Sequence, residues 1–137
     1  MHRKMALDLG DARIGIAVSD LMGIIVSEQS TYHRKNLNAD IAHIVGLVTE
    51  KRVDTIVIGL PINMDGTKGV RVDKTYAFGE ELAKVTQVKL EYIDERLTTV
   101  AAEKMLISAD VRREKRKEVI DAVSANIILQ SYLDKIK

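Results

Sequence analysis

The sequence predicts a mixed α/β fold: a five-stranded sheet of order 3-2-1-4-5 with helices on both faces. Three observations predict it. Residues 3–34 hold three β-prone runs divided by turn signals. The apolar spacing then switches to a helical period. After that come two short apolar runs, each followed by a helical segment. A meander of three strands continued by two right-handed crossovers places the first strand at the centre of a mixed sheet.

Each element has its own signal. Residues 3–9 and 13–19 are apolar runs joined by Gly10-Asp11-Ala12, a turn sequence. Residues 24–34, with Val26, Thr31 and Tyr32, form a third strand after the Met22-Gly23 break. Residues 38–51 carry Ile41, Ile44, Val45, Leu47 and Val48 at helical spacing, with Asn38 as the expected N-cap. Residues 54–60 are a continuous apolar run, as a parallel strand buried on both faces requires. A loop from Pro61 to Gly69 leads to a helix at 70–85, a strand at 88–93 and a helix at 97–107. The last helix is expected from about Glu114 to Leu133. Residues 1–137 show no repeat, linker or low-complexity tract, so one domain is expected.

Composition excludes several classes. The chain has no cysteine, which rules out a disulfide framework and thiolate metal sites and suits a reducing cytoplasm. No apolar run approaches the roughly 18 residues that span a bilayer, and Asp8 cuts the one near the N-terminus. No membrane association is expected. The net charge of +1 argues against a general polyanion binder, yet Arg112-Arg113-Glu114-Lys115-Arg116-Lys117 concentrates cations. Such a run is either a solvated surface or a phosphate-backbone contact. With one phenylalanine and four tyrosines, no aromatic stacking platform for single strands is expected.

The chemistry is expected beyond the carboxyl ends of the parallel strands, at the switch point beside strand 1. Acids gather there: Asp8 ends the first strand, Asp65 follows the fourth, and Asp94-Glu95-Arg96 follows the fifth. Asp8 interrupts the apolar run Met5 to Leu9, and burying an unpaired carboxylate is costly. A metal, a base or a phosphate-proximal site accounts for it; so does a strand-end aspartate capping the Gly10 turn. Asp121 poses the same question in a nearly all-apolar helix, where it shares a face with Ala125 and Ile128. A first-turn acid favoured by the helix dipole is the bland alternative. Gly66-Thr67-Lys68-Gly69 lacks the order of a phosphate loop, and His2, His33 and His43 have no ligand spacing.

Taken together, these motifs resemble the YqgF family: Holliday-junction resolvase-like proteins that are also assigned as nucleases maturing the precursor of 16S ribosomal RNA. The matching segments are Leu7-Asp8-Leu9-Gly10 with Arg13 and Gly15, Ala17 to Asp20, Val57 to Pro61, Asn63 to Gly66, Asp94 to Thr99, Ile120-Asp121 and Ile128 to Leu133. The chain departs from the family at Ser124-Ala125, where two adjacent alanines are frequent, and along Tyr32-His33-Arg34.

The resemblance implies a ribonuclease H-like fold and Mg²⁺- or Mn²⁺-dependent hydrolysis of phosphodiesters in an rRNA precursor or branched DNA, by a cytoplasmic monomer or homodimer. It implies Asp8 and Asp121 as metal ligands, with Asp94 or Glu95 as the third carboxylate. Glu95 is preferred because strand alternation turns only one of the two inward; Asp65 is the other candidate. Arg13, Arg96, Arg112, Arg113, Lys115 and Lys117 are then the phosphate contacts. Two other readings fit parts of the sequence. One is a non-catalytic RNA- or ribosome-binding module on the same fold. The other is an actin-like ATP-binding half, for which a second Asp-x-Gly motif of that kind is missing.

Overall fold

The computed structural model describes residues 2–63, 65–94 and 113–136, with side chains of the last helix from Asp121 onward. Its strands are β1 (Arg3–Leu9), β2 (Arg13–Ser19), β3 (Val26–His33), β4 (Val53–Leu60) and β5 (Lys89–Asp94). Its helices are α1 (Leu37–Lys51), α2 (Val70–Val85) and α3 (Arg113–Lys135). The sheet order is β3-β2-β1-β4-β5, as the crossover argument expects. β2 is antiparallel to both β1 and β3, whereas β1, β4 and β5 run parallel. The helix expected at 97–107 falls outside the described residues.

Strand alternation sorts side chains onto two unlike faces. Met5, Leu7, Leu9, Ile14, Ile16, Val18, Ile56 and Ile58 point to one side, against Ile41, Ile44 and Val48 of α1 and Phe78 and Leu82 of α2. Ala6, Ala17 and Val57 point to the other, against Ala125, Ile128, Leu129, Tyr132 and Leu133 of α3. Large aliphatics hold α1 and α2 off the sheet. Small residues on the other face let α3 lie down on β2 and β1. Gly15 marks the closest approach: a Cβ there would collide with the backbone carbonyl of Asp121.

Two sequence expectations need correction. The N-cap of α1 is Asn36, not Asn38: Asn36 is extended (φ −151°, ψ 166°), and its side chain accepts from the Ala39 N–H at 2.9 Å. Asn38 already lies within the first turn and cannot cap it. β3 starts at Val26 rather than residue 24, because Asp20 closes the preceding loop. Its Oδ1 accepts from the N–H groups of Ile24 (2.8 Å) and Ile25 (3.3 Å). Backbone donors, led by Ile24 and opposed by burial, hold the Asp20 carboxyl below the usual range.

Candidate active site

Asp8 is the penultimate residue of β1, at the carboxyl end of the parallel strands. It pairs in register with Gly15 of β2. Ala6 and Ala17 form the adjacent pair of the same set, and both face α3. By alternation Asp8 and Gly15 therefore belong to the α3 side as well. Since Gly15 lies directly under the backbone of Asp121, the two acids reach one corner of one face despite their separation along the chain. Both are partly buried.

Asp121 has a partner within the chain. The Arg13 Nε–H donates to its Oδ2 at 2.8 Å, with about a quarter of each side chain exposed (27% and 22%). Arg13 opens β2, so the pair ties the first turn after Asp8 to the first described turn of α3 side chains. A guanidinium has five donors and this contact uses one, which leaves Arg13 able to take a second anion.

The remaining expected site residues lie in other places. Along β5, Ile93 packs toward the α3 side and Glu91 bonds Tyr132 of α3, so alternation gives Asp94 a position on the opposite face. Burial and the Glu91 carboxylate push the Tyr132 phenol up to about 12, and Glu91 lies mid-strand in β5, three residues before Asp94. Asp65 is exposed, and its Oδ1 accepts from the Thr67 hydroxyl (2.6 Å) and the Thr67 N–H (2.9 Å). These bonds hold its carboxyl below the usual range, and they commit it to its own loop. Glu95, Arg96 and Arg112 lie outside the described residues. Arg113, Lys115 and Lys117 lie in the first turns of α3, and their side chains are outside the described ones. Among the described residues no three acids or histidines stand together as a ligand group.

The sequence reading missed one charged cluster. Asp40, 1% exposed, accepts from the Arg34 Nε–H (2.9 Å), the Tyr32 hydroxyl (3.0 Å) and the Lys35 N–H (3.0 Å). Burial alone would raise its pKa; the Lys35, Arg34 and Tyr32 contacts outweigh burial and hold it low. Its position in the first turn of α1 reads, from sequence, as an ordinary helix-dipole acid. The only sequence signal near it was the departure along Tyr32-His33-Arg34.

Comparison with known proteins agrees with this geometry. The family model described as "RuvX: Holliday junction resolvase" matches residues 2–135. A protein of Halalkalibacterium halodurans named "Putative pre-16S rRNA nuclease" is 50% identical over 135 residues, covering 97% of this chain and 96% of that one. A protein of Clostridioides difficile with the same name is 49% identical over 132 residues, covering 96% and 94%. Among solved structures, the RuvC of Thermus thermophilus in complex with Holliday junction substrate superposes with a TM-score of 0.62 at 8% identity, covering 99% of this chain and 96% of that one. The fowlpox virus Holliday junction resolvase superposes with a TM-score of 0.65 at 13% identity, covering 98% and 99%. Identities this low speak for the fold alone, which is the ribonuclease H-like one. With a family model spanning nearly its whole length and relatives matching it end to end, the chain belongs to the RuvX family, the YqgF family that its motifs resemble.

Proposed function

We propose that this protein is a divalent-metal-dependent endonuclease that hydrolyses phosphodiesters of structured nucleic acid, with the precursor of 16S rRNA as its substrate in the cytoplasm. The observation that carries this reading is that Asp8, at the carboxyl end of β1, pairs in register with Gly15, which lies under the Asp121 backbone and which only a close helix approach requires. The substrate class rests on the end-to-end relatives and their names.

The donor chemistry fits a hard cation. Carboxylate oxygens at a partly exposed corner suit Mg²⁺ or Mn²⁺, and Glu95 is proposed as the third ligand beside Asp8 and Asp121. When bound, such an ion lowers the pKa of water and stabilises a leaving oxygen. The chain's own residues supply the rest. Asp8 and Asp121 concentrate negative charge where a cation docks. Arg13 holds Asp121 in a fixed rotamer and keeps donors for a phosphate oxygen. Gly10 and Gly15 let the chain's own backbone, at Arg13 and Asp121, come close where a side chain would obstruct. Arg96, Arg112, Arg113, Lys115 and Lys117 are proposed to hold the phosphates flanking the scissile bond.

A cleavage assay with Mn²⁺ on an rRNA precursor and on a four-way DNA junction tests this, with chelator as control. Cleavage of the precursor at one position, abolished by chelator, is the expected result. Preferential cutting of the junction would transfer the activity to branched DNA, in line with the family description. Tight RNA binding with no cleavage of either substrate would favour a non-catalytic module.

A further inference from the structure

We propose that Arg34, seated on the buried Asp40, is a positioning residue: it fixes the Gly10–Arg13 turn and, through that turn, the Arg13–Asp121 pair. The active-site role of the pair rests on the nuclease reading above; the mechanical role does not.

The geometry forms a continuous chain of bonds. Asp40 is 1% exposed, and a carboxylate so buried must be paired. Arg34 answers it through Nε at 2.9 Å and turns Nη1 onto the Gly10 carbonyl, also at 2.9 Å. The backbone N–H of Arg34 donates to the Ala12 carbonyl at 2.9 Å. One residue therefore grips the turn at two carbonyls. Inside the turn, the Gly10 N–H donates to the Arg13 carbonyl at 2.8 Å. A Cβ at Gly10 would sit 2.9 Å from that same oxygen, so the turn is as tight as glycine allows. Arg13 then reaches Asp121. The guanidinium carbon of Arg34 lies 5.4 Å from the centre of the Phe78 ring, which fixes it from α2.

This arrangement is more than a stability device. An ion pair taken out of water often contributes little net stability. A hydrophobic pair would have filled the site as well, whereas only a forked donor can hold a carboxylate and a carbonyl together. The fork lies under the α1/α2 side of the sheet and acts at the end of β1, next to Asp8. It thus sets the geometry of the opposite face through the turn.

The single variant Arg34→Ala would strand a buried carboxylate and can unfold the chain. The test uses Arg34→Met with Asp40→Asn. The asparagine Oδ1 still accepts from Lys35 and Tyr32, whose bonds go to that atom in Asp40, and no lone charge is left. Amide exchange by NMR is read at Gly10 and at core residues of β4, together with the Arg13 Nε–H resonance. The expected result is exchange about tenfold faster at Gly10, unchanged exchange in β4, and a broadened or lost Arg13 Nε–H signal. On cleavable substrate, kcat should fall by up to about 100-fold with KM nearly constant. Gly10 exchange that is unchanged, or accelerated only as much as β4, overturns the proposal. So does a preserved kcat beside a loosened turn. If the wild-type protein cleaves nothing, the nuclease reading fails while the exchange and Arg13 signals still decide whether Arg34 positions the turn.

Discussion

Leu7 and Asp8 are neighbours in β1 that face opposite ways, and the two sides of the sheet differ as they do. Leu7 enters a core of isoleucines, leucines and valines from β1, β2, β4, α1 and α2, with no exposure at all. Asp8 faces the side where Ala6, Ala17 and Gly15 have given up volume so that α3 can come close. One side is packed for stability. The other trades packing volume for proximity, and the proximity brings together residues 8 and 121. The lesson is that in this fold the small residues, more than the large ones, mark where the proposed site lies.

The largest expected effect breaks the stability side. Leu7→Ala should cost about 3 kcal/mol, because truncating a fully buried leucine loses transfer energy and leaves a cavity. Cleavage per folded molecule should hold within about twofold, read below the lowered Tm as kcat. A large kcat loss would mean that the two sides are not separable.

Next comes Gly15→Ala on the other side. Its Cβ meets the Asp121 carbonyl, so α3 must shift, at a cost of about 2 kcal/mol. Here kcat should fall well beyond what the Leu7 variant loses. Chemical denaturation paired with single-turnover kinetics separates the two effects. Equal kcat for both variants would remove the distinction.

The pH dependence sharpens the comparison further. Asp40 has a folded-state pKa below the ordinary aspartate value. A depressed carboxylate contributes stability that is fully present above its unfolded pKa of about 4 and is lost as pH falls through the folded value. Wild-type urea midpoints should therefore drop more steeply below about pH 4 than those of the Arg34→Met, Asp40→Asn double variant. Parallel curves would assign acid sensitivity elsewhere.

The smallest effect is a gain. Ser124 is 1% exposed, and among the described residues its hydroxyl has no partner. Ser124→Ala should raise stability by about 1 kcal/mol, since an unsatisfied buried hydroxyl is removed at little loss of volume. Cleavage should not change; a lower Tm would show that the hydroxyl is satisfied.

Much of this was legible in the sequence. β1 and β2 have the bounds that their apolar runs suggest, and the order β3-β2-β1-β4-β5 follows from a meander plus right-handed crossovers. Asp8 stood out because a carboxylate in an apolar run demands a reason. Other features were not readable. Asn36 and Asn38 are equally good caps until the backbone angles are known. Asp40 looks like any first-turn acid, because its burial depends on Arg34 arriving from a strand end. The Arg13–Asp121 pair spans most of the chain, so no local pattern encodes it. Glu95 had only alternation in its favour, and it lies beyond Asp94, outside the described residues.

The central claim is that Asp8 serves chemistry rather than folding, and one paired measurement tests it most directly: the melting temperature and the Mn²⁺-dependent cleavage rate of Asp8→Asn in the same preparation. The account predicts a Tm equal to or above wild type, since a charge on the same corner as the Asp121 carboxylate is removed. It also predicts a rate reduced by more than about 100-fold, or about 2.7 kcal/mol of barrier. A Tm well below wild type with cleavage retained would make Asp8 a cap of the Gly10 turn and contradict the account.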